Sequence, residues 1–186
     1  MEEALSIALG LGLAAACGFR VFVPLLVVSA AANSGHLALS GSFDWIASTP
    51  ALITLIAATV LEIAAYYIPW VDHLLDTVAS PAAVVAGVVA SASVITGMDP
   101  YLKWTMAVIA GGGLAGAVQV VTAGTRGVST LTTAGFGNPV VSTAEAGGSV
   151  VLSILSLVAP FVALGLAVFF LAFVTSRLVG RRRRAA

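Results

Sequence analysis

Long apolar stretches recur along this chain and constrain its fold more than any other feature. A helix needs about 20 apolar residues to cross the hydrocarbon core of a bilayer. With 60% hydrophobic and 9% charged residues, the chain cannot cover a soluble domain with polar side chains. The sequence predicts an all-α, polytopic membrane helix bundle with five to seven crossings, in one transmembrane domain over 1–180. The candidate spans are 4–32, 51–68, 81–97, 104–123 and 149–175.

The segment 124–148 fits neither a span nor an ordinary loop. It is rich in Gly, Thr and Ser, yet it remains too apolar for a solvent-exposed connection. Irregular backbone at membrane depth is tolerated where protein buries it or where water reaches it. We therefore expect a re-entrant segment or a broken helix that lines a cavity.

Two Gly-x-Arg motifs, which end at Arg20 and Arg126, indicate an internal repeat. The copies cover about 4–78 and about 104–178, and a single span over about 80–98 links them. If each copy has an even number of crossings, this link inverts the second copy. Inverted repeats with discontinuous helices are characteristic of transporters, so we expect broken or re-entrant helices after both motifs.

Arg20 and Arg126 are the strongest candidates for chemistry. An arginine inside a span costs at least about 2.5–3.5 kcal/mol on insertion scales, so it normally faces a partner or a wet cavity. Two guanidinium groups, with backbone N–H groups freed by a helix break, suit an anion, a phosphate or a carboxylate. The alternative is internal pairing with Glu62 or Glu145, either of which is also a candidate for proton coupling.

Polar side chains near the Asn138-Pro139 turn form a second candidate site. The Asn138 amide and the Thr130 hydroxyl would line a polar path if this segment is re-entrant. The alternative is local hydrogen bonding to the helix backbone, which is common for Ser and Thr.

Asp72 and Asp76 share one helix face, at positions i and i+4 after Pro69, with His73 adjacent. A divalent cation is conceivable there. However, two carboxylates are few for a strong site, and acidic residues in a first helical turn need no metal. The same residues would serve an intramembrane lipid-processing enzyme, although no established catalytic motif is present.

The basic residues cluster at the C-terminus, at Arg177 and in the tail 181–186. Lys and Arg near span ends are retained in the cytoplasm, so we expect a cytoplasmic C-terminus in a multi-pass protein of the bacterial cytoplasmic membrane. Anionic lipids suit this tail. Nothing else in the chain indicates nucleic-acid binding.

Several of these motifs together resemble an uncharacterised bacterial family of small multi-pass membrane proteins, a domain-of-unknown-function family. They are Gly18-Phe19-Arg20, the run Pro69 to His73 with Asp76, and Arg126 with Gly137-Asn138-Pro139 and Glu145. The resemblance implies a shared polar cavity but no substrate. The polar pattern it implies consists of Arg20, Asp72, Asp76, Arg126, Asn138 and Glu145.

These features lead to three functional hypotheses. The first is a small secondary transporter or channel for an anionic solute or a phosphate-bearing lipid head group, with no cofactor. The second is a non-catalytic membrane scaffold or accessory subunit with internally paired charges, and the third is the lipid-processing enzyme. Small size and Gly-rich helix faces are compatible with a homodimer in the lipid bilayer.

Overall fold

The computed structural model describes residues 1–68 and 71–185, with the side chains of all of these except 72–74 and 178–185. The described residues form helices and contain no β-strand. A 3-10 helix, Gly41–Ala47, precedes α3, and a π-helical segment, Ala107–Gly112, joins α5 to α6. The α-helices are α1 Glu2–Cys17, α2 Phe22–Asn33, α3 Thr49–Ala65, α4 Val71–Val94, α5 Pro100–Met106, α6 Gly113–Thr133, α7 Asn138–Val158 and α8 Pro160–Ala185.

The described helices confirm the predicted membrane helix bundle. Four stretches are long and apolar enough to cross a membrane, and the 3-10 helix with α3, bent by 67°, makes a fifth if the pair is one span. The four are Leu75–Val94, Pro100–Thr133, Asn138–Val158 and Pro160–Arg177.

Helix α4 packs against both α1 and α6 and runs opposite to α1. The Ser6 hydroxyl lies 3.4 Å from the carbonyl oxygen of Thr96, and the Ser91 hydroxyl donates to the carbonyl oxygen of Gly10 at 3.1 Å. The start of α1 therefore lies beside the end of α4. We call this end of the bundle the Ser6 end.

Small residues let α4 and α6 approach closely. A Cβ atom on Gly87 would lie 2.5 Å from the Cβ atom of Ala115 and 2.9 Å from the carbonyl oxygen of Gly111. Ser91 lies beside Gly111, whereas Val84 lies beside Gly116, so α6 runs opposite to α4. Consequently α1 and α6 run in the same direction. In an inverted repeat aligned on the two Gly-x-Arg motifs, α1 and α6 would run in opposite directions. Their common direction therefore does not agree with an inverted repeat in this alignment.

The first predicted span is a re-entrant hairpin. Helix α1 ends at Cys17, the chain turns through residues 18–21, and α2 returns toward the Ser6 end. Beyond α2, the backbone N–H of Ser40 donates to the carbonyl oxygen of Ser93, near the end of α4. The helix break expected after the first Gly-x-Arg motif is therefore present, and Arg20 lies in it.

After the second motif the helix does not break at once. Helix α6 continues through Arg126 to Thr133, and the break follows at residues 134–137, where Ala134 and Gly135 have φ values of 50° and 88°. The segment 124–148 is thus helical on both sides of a short turn. Of the two predicted alternatives, this agrees with a break in the helix rather than with a re-entrant segment, because the helices on its two sides are separate candidate spans. The Thr130 hydroxyl bonds within the helix, since it donates to the carbonyl oxygen of Arg126 at 3.0 Å.

Helices α7 and α8 form an antiparallel pair joined at Ala159. On α7, the Ser149 hydroxyl donates to the carbonyl oxygen of Ala16 at 3.0 Å. On α8, the ring of Phe170 lies 5.4 Å from the ring of Phe19. Helix α8 continues from there toward the end of the bundle opposite to Ser6, which we call the Arg177 end. The fifth predicted span, 149–175, is therefore two helices, separated just before Pro160.

Helix α4 begins at Val71, ten positions before the predicted start of the third span. Pro81, the first residue of the predicted span, lies inside this helix. Transmembrane helices tolerate an internal proline because neighbouring groups satisfy the freed carbonyl. As a result α4 includes Asp76 and brings it into the bundle.

Candidate functional site

The two Gly-x-Arg arginines meet deep inside the bundle. The exposed fraction is 1% for Arg20 and 2% for Arg126. At 1.5 Å per residue, Arg20 lies about 25 Å along α1 and its break from the Ser6 end. Arg126 lies within the candidate span Pro100–Thr133 and its partner Glu145 within Asn138–Val158, so the site lies among the helices long and apolar enough to cross a membrane.

Both arginines bind one carboxylate of α7. The Arg126 Nε atom donates to Oε1 of Glu145 at 3.1 Å, and Nη2 of Arg20 lies 3.4 Å from Oε2 of the same residue. Arg126 also donates through Nη1 to Asp76 of α4, whose side chain is 25% exposed. We call these four residues the arginine network. It ties the break after α1 to α4, α6 and α7.

Tyr66 lies against both arginines. The guanidinium carbon of Arg20 is 3.9 Å from the centre of its ring, and that of Arg126 is 4.6 Å from it. Guanidinium groups are attracted to aromatic faces by the ring quadrupole. Sequence analysis did not select Tyr66 as a site residue, because a tyrosine at a span end is more commonly an interfacial anchor.

Ser142 is a second site residue that the sequence did not reveal. Arg20 donates through Nη2 to the Ser142 hydroxyl at 2.5 Å and to the Ser142 carbonyl oxygen at 2.9 Å. No motif marks this serine, so only the fold identifies it.

Three guanidinium nitrogen atoms of the network are buried without a hydrogen-bond acceptor among the described residues. They are Nε and Nη1 of Arg20 and Nη2 of Arg126. Buried donors without a partner are uncommon and require an explanation such as a bound water molecule or ion. The site therefore has donor capacity beyond what its own carboxylates use.

Glu62 is buried nearby but binds backbone groups. Its Oε1 accepts from the N–H of Val21 at 2.8 Å, and its Oε2 accepts from the N–H of Phe22 at 3.1 Å. These are the N–H groups at the start of α2. The backbone donors expected after the first motif are therefore present, and a carboxylate of α3 occupies them.

Among the side chains that the structure describes, acidic groups outnumber the arginines at this site. Arg20 and Arg126 face three such carboxylates, those of Glu62, Glu145 and Asp76. Buried charges are costly unless they are paired and hydrogen-bonded. An anion that entered this site would add to an existing excess of negative charge.

The second candidate pair is also in contact. Asn138, at the start of α7 and 4% exposed, donates through its amide to the Thr130 hydroxyl at 2.9 Å. Thr130 donates in turn to the backbone of α6, as the local alternative required. This pair joins α6 and α7 across the turn. Thr130 lies four residues after Arg126 on α6, and Asn138 lies seven residues before Glu145 on α7.

The predicted cation site is only partly described. Asp76 is engaged by Arg126, and the side chain of Asp72 lies outside the described residues. Within the described part of the chain, no three His, Cys, Asp or Glu side chains lie close enough to hold a metal ion. Cation binding by Asp72 and Asp76 stays a prediction.

Apolar spans around a buried arginine–carboxylate network define a polytopic helical membrane protein with a polar intramembrane site. The chain belongs to the family of the domain of unknown function DUF4126, whose model matches residues 7–179. This confirms the resemblance seen in the sequence. No curated protein and no solved structure matches the chain.

Proposed function

We propose that this chain is a small secondary transporter or channel in which Arg20 and Arg126 bind an anionic group. The observation that supports the proposal best is the set of three buried guanidinium N–H groups without an acceptor among the described residues. A re-entrant hairpin whose tip lies at a polar intramembrane site is typical of transport proteins. The bound group is either a free anion or the phosphate of a lipid head group.

A thermal-shift screen of the detergent-purified protein tests this proposal. The panel contains formate, nitrate, inorganic phosphate, sulfate and a polyprenyl phosphate. A ligand at 100 times its dissociation constant stabilises the folded state by about 2.7 kcal/mol. A shift with a free anion indicates a solute, whereas a shift with the polyprenyl phosphate alone indicates a lipid head group.

Substitutions assign the effect to the arginines. Arg20→Lys keeps the positive charge but removes the planar guanidinium group, and Arg126→Ala removes both the charge and the guanidinium group. Both variants should lose the ligand-induced shift and the flux of the same anion into proteoliposomes. Arg177→Ala is the matched control, because Arg177 is exposed and contacts Phe173 near the end of α8. An unchanged shift in both network variants contradicts the proposal.

A scaffold or accessory subunit is the second candidate, because each arginine already has a carboxylate partner within the protein. In that case the arginine variants melt early and no member of the panel stabilises the wild type. The screen therefore separates the two functions in one experiment.

The finer location is also a proposal. The arginines at positions 177 and 181–184 favour a cytoplasmic Arg177 end in a bacterial cytoplasmic membrane. A homodimer remains compatible with the Gly-rich faces of α6, two of whose glycines, Gly124 and Gly127, meet no other group within 4 Å.

A further inference from the structure

The start of α2 is an anion site that the protein fills with its own carboxylate. Free N–H groups and the helix dipole make a helix N-terminus favourable for anions. The residue before α2, Val21, has no side chain able to cap it. Glu62 comes instead from α3 and places one oxygen on each of the N–H groups of Val21 and Phe22.

A second observation points to a ligand at the same place. Arg20 directly precedes Val21, is 1% exposed, and has two guanidinium nitrogens, Nε and Nη1, without an acceptor among the described residues. The donors around the start of α2 therefore exceed what Glu62 accepts. A single carboxylate satisfies only part of this site.

We infer that Glu62 is a displaceable internal anion that couples anion binding to proton uptake. This inference rests on the proposed anion transport. A proton adds to the Glu62 carboxylate and converts it to the neutral acid, which leaves the N–H groups of Val21 and Phe22. The carboxylate of the solute then accepts those hydrogen bonds, and no covalent bond to the protein forms or breaks.

Charge balance explains why the two events are linked. With Glu62 ionised, the described part of the site has three carboxylates and two guanidinium groups, so a further anion meets net repulsion from these groups. One proton on Glu62 cancels the charge that a monovalent anion brings. The site then holds the same net charge before and after binding.

The geometry of Glu62 also indicates the class of solute. Two adjacent N–H groups each bind one oxygen of a planar group, at 2.8 and 3.1 Å. A small monovalent carboxylate reproduces this arrangement. Chloride has a single acceptor centre, and a phosphate dianion brings two charges where one proton compensates only one.

The groups around Glu62 come from several elements. Arg20 of the break and Arg126 of α6 act on it electrostatically, and the Cys17 thiol lies near it on α1. Tyr66 follows Glu62 by one turn of α3 and contacts both arginines. Glu145 pairs with both arginines directly, so its displacement would remove the carboxylate that they share and leave Arg126 with Asp76 alone among the described residues. Glu62 is therefore the carboxylate whose release costs the network least.

The experiment measures formate binding and proton uptake together, in weakly buffered detergent solution with a pH indicator. Between about pH 6 and 8, formate stays ionised like other small carboxylates. The wild type should take up one proton per formate bound, and its affinity should fall about tenfold for each unit of rising pH while free Glu62 is ionised. Chloride and inorganic phosphate should bind more weakly.

Glu62→Gln keeps the shape of the side chain and removes the charge. This variant should bind formate with no proton uptake and with an affinity that does not depend on pH. Glu3→Gln, at the exposed start of α1, is the matched control and should keep the wild-type proton stoichiometry. If Glu62→Gln does not fold, the number of protons that the wild type takes up per formate bound tests the coupling by itself.

The possible outcomes distinguish a failure of the role assigned to Glu62 from a failure of the proposed anion transport. Formate binding without proton uptake, or proton uptake that persists in Glu62→Gln, overturns the role of Glu62 and leaves anion binding intact. Tighter binding of phosphate or chloride than of formate overturns the carboxylate class. No binding of any anion to the wild type overturns both the inference and the proposed function.

Discussion

Arg20 and Ser142 are joined by two hydrogen bonds across 122 positions of sequence. One guanidinium nitrogen, Nη2, donates to the hydroxyl oxygen at 2.5 Å and to the carbonyl oxygen at 2.9 Å. These bonds fix the tip of the re-entrant hairpin to α7, through the same nitrogen that lies 3.4 Å from Oε2 of Glu145. The position of the arginine is therefore set by a neutral residue as well as by charge.

Ser142→Ala should lower the free energy of unfolding by about 1.5–3 kcal/mol, because the variant loses a buried hydrogen bond to a charged donor. Thermal or denaturant unfolding in detergent measures the change. Thr125→Ala is the control, since the exposed Thr125 hydroxyl bonds only to its own helix, and it should stay within about 0.5 kcal/mol. Equal effects of the two substitutions would show that the contact with Arg20 contributes nothing.

Glu145→Gln should destabilise the protein by about 3–5 kcal/mol, because it leaves two buried arginines without their shared charge partner. Asp76→Asn should cost less, since the Asp76 side chain is 25% exposed and binds one arginine only. Unfolding measurements on the two variants, each with and without formate, check the order. A larger loss in Asp76→Asn would contradict the central place of Glu145 in the network.

The glycines of the two Gly-x-Arg motifs should respond in opposite ways to alanine. A Cβ atom on Gly18 would lie 2.5 Å from the carbonyl oxygen of Ala115 and 2.5 Å from Val118, so Gly18→Ala should cost about 1–3 kcal/mol. Gly124 meets nothing within 4 Å and lies inside α6. Gly124→Ala should therefore be neutral or stabilise by up to about 1 kcal/mol through helix propensity. Unfolding measurements on Gly18→Ala and Gly124→Ala test this difference, and each variant is the control for the other.

The helix directions place His36 and Phe136 on opposite sides of the membrane. His36 follows α2 at the Ser6 end, and Phe136, which is 89% exposed, lies in the turn between α6 and α7. Single cysteines at these positions, in a Cys17→Ala background, should react differently with a membrane-impermeant maleimide in intact cells. Labelling of both cysteines from outside the cell would contradict an odd number of membrane crossings between positions 36 and 136.

Helix starts that depend on local chemistry could be predicted from the sequence. The Asp99-Pro100 turn is an example, because Asp99 accepts from the N–H of Tyr101 and Pro100 opens α5. The break after the second Gly-x-Arg motif was harder to locate. Helix α6 continues from Arg126 to Thr133 before the chain turns at residues 134–137, so the motif alone does not mark where the helix ends.

The charged members of the site could be selected from sequence, because ionisable residues within apolar spans are rare and costly. Their partners could not. Whether Arg20 binds Glu62 or Glu145 depends on how α3 and α7 pack around the hairpin, and spacing along the chain does not encode this. Tyr66 and Ser142 were missed because neither residue type is unusual in a membrane helix.

The π-helical segment Ala107–Gly112 determines how far the side chains of α6 are rotated about the helix axis relative to those of α5. Before it, Lys103 of α5 donates to the Ser40 hydroxyl at 2.8 Å, and after it Arg126 binds Glu145. Each residue of an α-helix advances the side chains by about 100°. Deleting one residue from this segment would keep both ends apolar and helical yet turn Arg126 about a quarter of a circle away from its partners. The π-helical segment thus sets the rotation of α6 relative to α5. It allows one continuous helix to place Lys103 at Ser40 and Arg126 at Glu145.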